Sequence, residues 1–178
     1  MIDPTTQQAQ HGDRTAQAKL LRELQDPWYR LCLGLLRDPD RARDATQETA
    51  LRFLKLLPRF EGNSTLSTWS MGIAINVVRE IRRDAQKLDD ADRVREIAAT
   101  PRVARSPEQD AVTGENAHLL RETLNELPER QRDAVVLRFF ENLSVEETAI
   151  AMNCAEGTVK ATVHQALRAL RSKLKQLS

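Results

Sequence analysis

Apolar residues recur every three or four positions along most of this chain, a spacing that confines it to amphipathic helices. Leu20, Leu24, Trp28, Leu31 and Leu35 form one helix face that ends near Asp38-Pro39. A second pattern begins within Asp40 to Asp44 and runs to Leu57, with Ala50, Phe53, Leu54 and Leu57 turned inward before Pro58 closes it. After the turn Glu61-Gly62-Asn63-Ser64, a third places Leu66, Trp69, Ile73, Val77 and Ile81 on one side. Only six Gly, seven Pro and 4% aromatics accompany abundant Leu, Ala, Arg, Glu and Gln, so the punctuation of a sheet is missing. The expected fold class is all-α.

From Asp84 to about Gly114 the periodicity fails. Asp89-Asp90-Ala91-Asp92 is an acidic cluster, and Pro101 and Pro107 flank Ser106 among scattered Arg. Order resumes with Ala117, Leu120, Leu124 and Leu127, and Pro128 opens a helix containing Val135, Val136, Phe139 and Phe140. Two closely spaced segments come next, Ser144 to Met152 and roughly Ala155 to Leu177. The 178 residues therefore divide into a flexible N-terminal segment 1–18, a small helical domain 19–88, a flexible linker 89–114 and a second helical domain 115–178.

Charge is close to balanced as a whole, 27 Lys plus Arg against 26 Asp plus Glu, yet it is segregated. Residues 1–88 carry 14 basic and 11 acidic side chains, 89–159 carry 8 and 15, and 160–178 carry 5 and none. A mean hydropathy of −0.52 and the lack of a long uncharged apolar run exclude membrane insertion. The polar start Met1 to Gly12 is not a secretory signal, so the expected location is cytoplasmic. Cys32 and Cys154 stand far apart, and His164 has no partner at ligand spacing, so no metal site and no cofactor is expected. No nucleophile with a base, paired acid and base, or Gly-rich phosphate loop points to catalysis.

The last two segments have the form of a helix-turn-helix. Ser144 and Glu147 match a capping box, Ala149 permits close helix approach, and Asn153 tolerates the left-handed conformation that ends such a helix. In the second helix Val159, Val163, Leu167, Leu170, Leu174 and Leu177 form the expected core stripe. One position further round lie Lys160, His164, Arg168, Arg171 and Lys175, a basic ridge suited to phosphates. Lys160, Ala161, Thr162, His164, Gln165 and Arg168, on the early turns, are placed to approach base edges. A solvated face favoured by the helix dipole accounts for Lys173 and Lys175 but poorly for Lys160.

In the N-terminal half, Asp44, Gln47, Glu48 and Arg52 form a polar outer stripe. Trp69 and Asn76 share a side of the third helix, which ends in Arg79, Arg82, Arg83 and Lys87. The run Asp44-Ala45-Thr46-Gln47-Glu48-Thr49, then Leu57-Pro58-Arg59-Phe60, Ser67-Thr68-Trp69 and Ile73-Ala74-Ile75-Asn76 resembles domain two of the extracytoplasmic-function (ECF, group IV) sigma factors of bacterial RNA polymerase. Leu127-Pro128-Glu129-Arg130-Gln131-Arg132, Leu143-Ser144-Val145-Glu146-Glu147-Thr148-Ala149 and Gly157-Thr158-Val159-Lys160 resemble their domain four.

The resemblance implies a factor that binds core polymerase, recognises −35 and −10 promoter elements and promotes melting, without being an enzyme. It assigns Asp44, Gln47, Glu48 and Arg52 to the clamp helices of the largest polymerase subunit, with the flap region as a further contact. Trp69, Asn76, Arg79, Glu80, Arg82 and Arg83 go to the −10 element. Thr158, Lys160, Ala161, Thr162, His164, Gln165, Arg168 and Arg171 go to the −35 element. An anti-sigma factor is an expected partner besides polymerase and promoter DNA. The chain departs from the family's common pattern at Ser70, Met71 and Gly72 after the Trp, at Glu80, and at Thr162 and Gln165. The rival readings are a stand-alone helix-turn-helix regulator, which would bind its operator tightly without polymerase, and a helical adaptor, which leaves the basic ridge unexplained.

Overall fold

The structure is a computed structural model that describes residues 2–96, 123–124 and 126–177, the side chains of 88–96 and 174–177 excepted. The described residues are all-α. Helix α1 spans Pro4–Gln10, α2 Arg14–Leu36, α3 Pro39–Leu56 and α4 Leu66–Glu96. In the C-terminal half, α5 spans Glu129–Val135 and continues as a π-helical turn, Val136–Phe140; α6 spans Val145–Met152 and α7 Glu156–Leu177.

The starts and stops are set by side-chain chemistry. Asp3, Asp13 and Asp38 each accept backbone N–H bonds at an N-terminus, and Pro4 and Pro39 sit where a missing N–H costs nothing. Ser144 and Glu147 form the expected capping box, the Glu147 N–H donating to Ser144 Oγ at 3.0 Å and the Ser144 N–H to Glu147 Oε2 at 2.8 Å. Asn153 takes the left-handed conformation, φ 50°, and the Cys154 N–H closes the helix end on the Ala149 carbonyl at 2.9 Å.

Helices α2, α3 and α4 enclose the main core around Trp28, Phe53, Leu31, Leu35, Ile75 and Val78. Trp28 packs on Phe53 with ring centroids 5.2 Å apart, and its Nε1 donates to Ser70 Oγ at 2.9 Å. Ala134, Val136, Leu137, Leu143, Ala151 and Met152 of the C-terminal half join the same apolar cluster, so the two halves pack on each other. A smaller cluster, Leu124, Leu127, Val135, Ala166 and Leu170, holds α5 to α7.

Three sequence expectations change. Residues 1–18, expected to be flexible, contain α1, whose Gln10 Nε2 donates to the carbonyls of Leu57 at 3.1 Å and Phe60 at 2.7 Å. Residues 89–96 of the expected linker continue α4; 97–114 lie outside the described residues, as do Ala117 and Leu120. Phe139 and Phe140, in the helix that Pro128 opens, are 50% and 54% exposed, since the π turn adds a residue and rotates these two rings outward. Leu167 is 38% exposed and Ala166 is buried instead. Repeated steps of four overshoot the 3.6-residue turn by about 40° each, so the stripe from Val159 and Val163 must pass through residue 166 to reach Leu170. The side chains of Leu174 and Leu177 are outside the described residues.

Removing the capping hydroxyl tests the helix-turn-helix geometry. Ser144→Ala is expected to lower unfolding free energy by about 1 kcal/mol in urea denaturation. The Ser144 N–H, foremost among its partners, holds the Glu147 carboxyl below its ordinary range. That share of the stability is therefore present above the usual glutamate pKa and fades as acid protonates the folded carboxylate.

Candidate polymerase and promoter interfaces

Helix α3 turns Ala42, Ala45, Thr49 and Phe53 inward, which leaves Asp44 and Gln47 exposed and Glu48 and Arg52 half-exposed on its outer side. Arg52 is held twice, by Glu48 Oε1 at 2.6 Å and by Glu80 Oε2 of α4 at 2.7 Å. Glu80 and then Glu48 raise the guanidinium's pKa, and the bond from Arg52 holds Glu80 below the usual carboxylate range. Glu80, expected among the −10 contacts, is thus joined to the α3 stripe. Leu51 lies in the same stripe, three residues after Glu48, and is 66% exposed. Nothing local marks it as a contact, although its place seven residues from Asp44 puts it on that face.

The α4 residues divide. Trp69 is half-buried, 5.0 Å from the Phe60 ring and 5.9 Å from Phe53, so the aromatic contacts begun at Trp28 continue through it. Asn76 and Arg83 are exposed. Arg79 Nε and Arg82 Nη1 instead donate to the two carboxylate oxygens of Asp133 in α5, at 3.0 and 2.9 Å. Arg82 Nη2 also reaches the Leu35 carbonyl at 2.9 Å. Asn76, Arg79 and Arg83 of α4 face Arg130 of α5 and Asn153 across a cleft of about 440 Å³.

On α7 the expected ridge is open. Thr158, Lys160, Ala161, His164, Gln165, Arg168 and Arg171 are exposed, and Thr162 is half-buried. Lys160 meets Glu156 one turn back at 3.3 Å, an exposed pair weak enough to exchange for a phosphate. Among the described residues no His, Cys, Asp and Glu cluster could hold a metal ion, and no helix is long and apolar enough to cross a membrane. Cys32 is buried, its thiol pushed up to about 11 by that burial, and Cys154 is half-buried.

These faces coincide with known sequence families. Sigma-70 region 2 matches residues 20–88 and Sigma-70, region 4 matches residues 117–170. The ECF RNA polymerase sigma factor SigW of Bacillus subtilis is 30% identical, covering 99% of this chain and 98% of its own length. The RNA polymerase sigma-H factor of Pseudomonas aeruginosa is also 30% identical, covering 96% and 92%. Among solved structures, the sigma factor RpoE in complex with the anti-sigma factor NepR from Bartonella quintana superposes with a TM-score of 0.68 at 25% identity, covering 89% of this chain and 96% of that one. CnrH, solved in complex with the cytosolic domain of CnrY, shares the fold with a TM-score of 0.70 at 19% identity, covering 98% and 97%. An exposed polar stripe on the region 2 match and an exposed basic helix on the region 4 match thus meet in one chain: it belongs to the ECF sigma factors of bacterial RNA polymerase.

Proposed function

We propose that this sigma factor docks on the clamp helices of the largest polymerase subunit through Asp44, Gln47, Glu48, Leu51 and Arg52. It meets the −35 element as duplex through α7 and the −10 element through α4. The observation that carries the reading is that the α3 stripe and the α7 ridge are both open on the surface while the apolar sides of the same helices are packed. Domain two is assigned to residues 19–88 and domain four to 115–178, with a further polymerase contact to the flap region.

In α7, Lys160, Arg168 and Arg171 neutralise phosphates and fix the helix in the major groove. Thr158, Ala161, Thr162, His164 and Gln165 then present short or neutral groups to base edges. At α4, opening the duplex costs unstacking, which is offset when Trp69 and Asn76 hold an exposed base and Arg79, Arg82 and Arg83 track the single strand. The chain supplies no bond-making chemistry; that belongs to polymerase, beside which it acts in the cytoplasm. An anti-sigma factor that covers these faces is a fitting regulator, in line with the likeness to RpoE bound by NepR.

Run-off transcription with core polymerase and a promoter selected from a random library tests the whole reading. Transcript that depends on this chain is expected; tight operator binding by the free chain with no initiation would establish the stand-alone regulator instead. Leu51→Ala removes a side chain that only a partner buries, so a loss of about 5- to 30-fold in core affinity is expected with unfolding stability unchanged. For α7, Lys160→Ala and Arg168→Ala should each flatten the slope of log affinity against log salt by about 0.9 in anisotropy titrations with −35 duplex.

A further inference from the structure

Helix α1 carries no residue assigned to polymerase or DNA, yet it closes on the segment that leads from α3 into α4. At its last residue the Gln10 side-chain amide lies between two backbone carbonyls, Nε2 donating to Leu57 at 3.1 Å and to Phe60 at 2.7 Å. Carbonyls only accept, so this pair fixes which end of the amide points at the turn. Both carbonyls flank the 3₁₀ turn Leu57–Arg59, where α3 has stopped and the donors of a continuing helix are missing. Ile2, just ahead of α1, adds a second hold: a Cβ on Gly62, whose φ is +76°, would lie 2.8 Å from Ile2 Cγ1. The N-terminus therefore grips residues 57–62 at two points.

What this segment presents is Phe60. Its ring is buried, with the centroid 5.0 Å from that of Trp69, which also meets Phe53 at 5.9 Å. Phe53 is set within α3, whereas Phe60 lies outside any long helix and takes its position from the turn that carries it. Trp69 is half-buried, so part of its indole rests on these rings and the rest is open. An indole holds an unstacked base best when its own tilt is fixed beforehand, since ordering it on binding would subtract from the gain in stacking. Helix α1 is itself anchored independently of the turn. Asp3 caps its first turn, and Gln17 Nε2 of α2 donates to the Ala9 carbonyl at 3.0 Å.

We infer that Gln10 is a positioning residue for the −10 site: by holding the Leu57 and Phe60 carbonyls it fixes the Phe60 ring, which sets the face that Trp69 offers to an unstacked base. This rests on the assignment of Trp69 to the −10 element above and adds how that side chain is seated. Helix α1 is thereby part of the strand-holding machinery rather than a passive extension of α2. Gln10 touches no DNA, and its influence stops at the aromatic it seats. Core binding through α3 and duplex binding through α7 do not depend on it.

The test uses full-length chains assembled with core polymerase on a promoter selected from a random library, with 2-aminopurine in place of a base of the −10 element to report unstacking. Gln10→Ala is expected to lower the equilibrium constant for opening roughly 5- to 10-fold, the worth of one hydrogen bond, with affinities for core polymerase and for −35 duplex unchanged. Gln10→Lys, which keeps a donor at that end of the side chain, should recover most of the loss. Gln17→Ala, which frees the end of α1 from α2, should weaken opening without touching the turn. Acrylamide quenching of the free chain reads the seat itself: of the two Trp, Trp28 is fully buried, so the quencher samples Trp69, and Gln10→Ala should raise the quenching. Unchanged opening by Gln10→Ala, or opening that falls together with core and −35 affinity, would overturn the proposal. If Trp69→Ala also opens the duplex as wild type does, it is the −10 assignment that fails, and quenching alone then decides whether Gln10 seats the indole.

Discussion

Trp28 fixes where the α3 and α4 surfaces point. Its indole lies against Phe53 of α3 and donates to Ser70 of α4, so one side chain sets the rotation of both helices that flank it. With Phe53 held inward, Asp44, Gln47 and Leu51 are directed outward. With Ser70 held inward beside Met71 and Ile75, the opposite side of α4 presents Asn76 and Arg83. The aromatic contacts continue through Trp69 to Phe60, whose carbonyl is clasped by Gln10, so even α1 supports the same region. A bulky aromatic with one polar handle does this because its area and its single donor each tolerate few orientations.

The second organising contact works differently. The α4 and α6 backbones approach through Gly72, and apolar residues of both halves share one cluster, but the polar centre is a single carboxylate between two guanidinium groups. Apolar contact alone would hold the halves together without regard to what they bind. A buried charge pair adds an orientation requirement, because both oxygens of Asp133 must meet a guanidinium to offset the cost of burying it.

Much of this was legible in the sequence. Long helices with a regular apolar side, the capping box at Ser144 and the left-handed Asn153 are local signals and appear where the spacing puts them. The exposed ridge from Lys160 to Arg171 is dictated by the stripe beside it. Helix α1 escaped because Thr6 and Ala9, its buried residues, make no apolar stripe, although Asp3-Pro4 is a helix start. The π turn Val136–Phe140 changes the period without marking the sequence, so the exposure of Phe139 and Phe140 could not be read from spacing. Asp133, within the polar run Glu129 to Asp133, looks like a surface residue, and nothing local says that Arg79 and Arg82, some fifty positions earlier, will enclose it. Partners some fifty positions apart, as Asp133 and its two arginines are, leave no local signal.

The two halves form one packed body around Asp133, Arg79 and Arg82, whereas the proposed reading of −35 and −10 elements about 25 base pairs, or about 85 Å, apart requires them to separate. Energy transfer between dyes on exposed Lys19 and Ser172, introduced as cysteines with Cys154→Ser, measures this directly in the free chain and in an initiating promoter complex. High transfer in the free chain and a collapse of transfer on core polymerase with promoter DNA is the predicted result. Equal transfer in both, while transcript is being made, would contradict it.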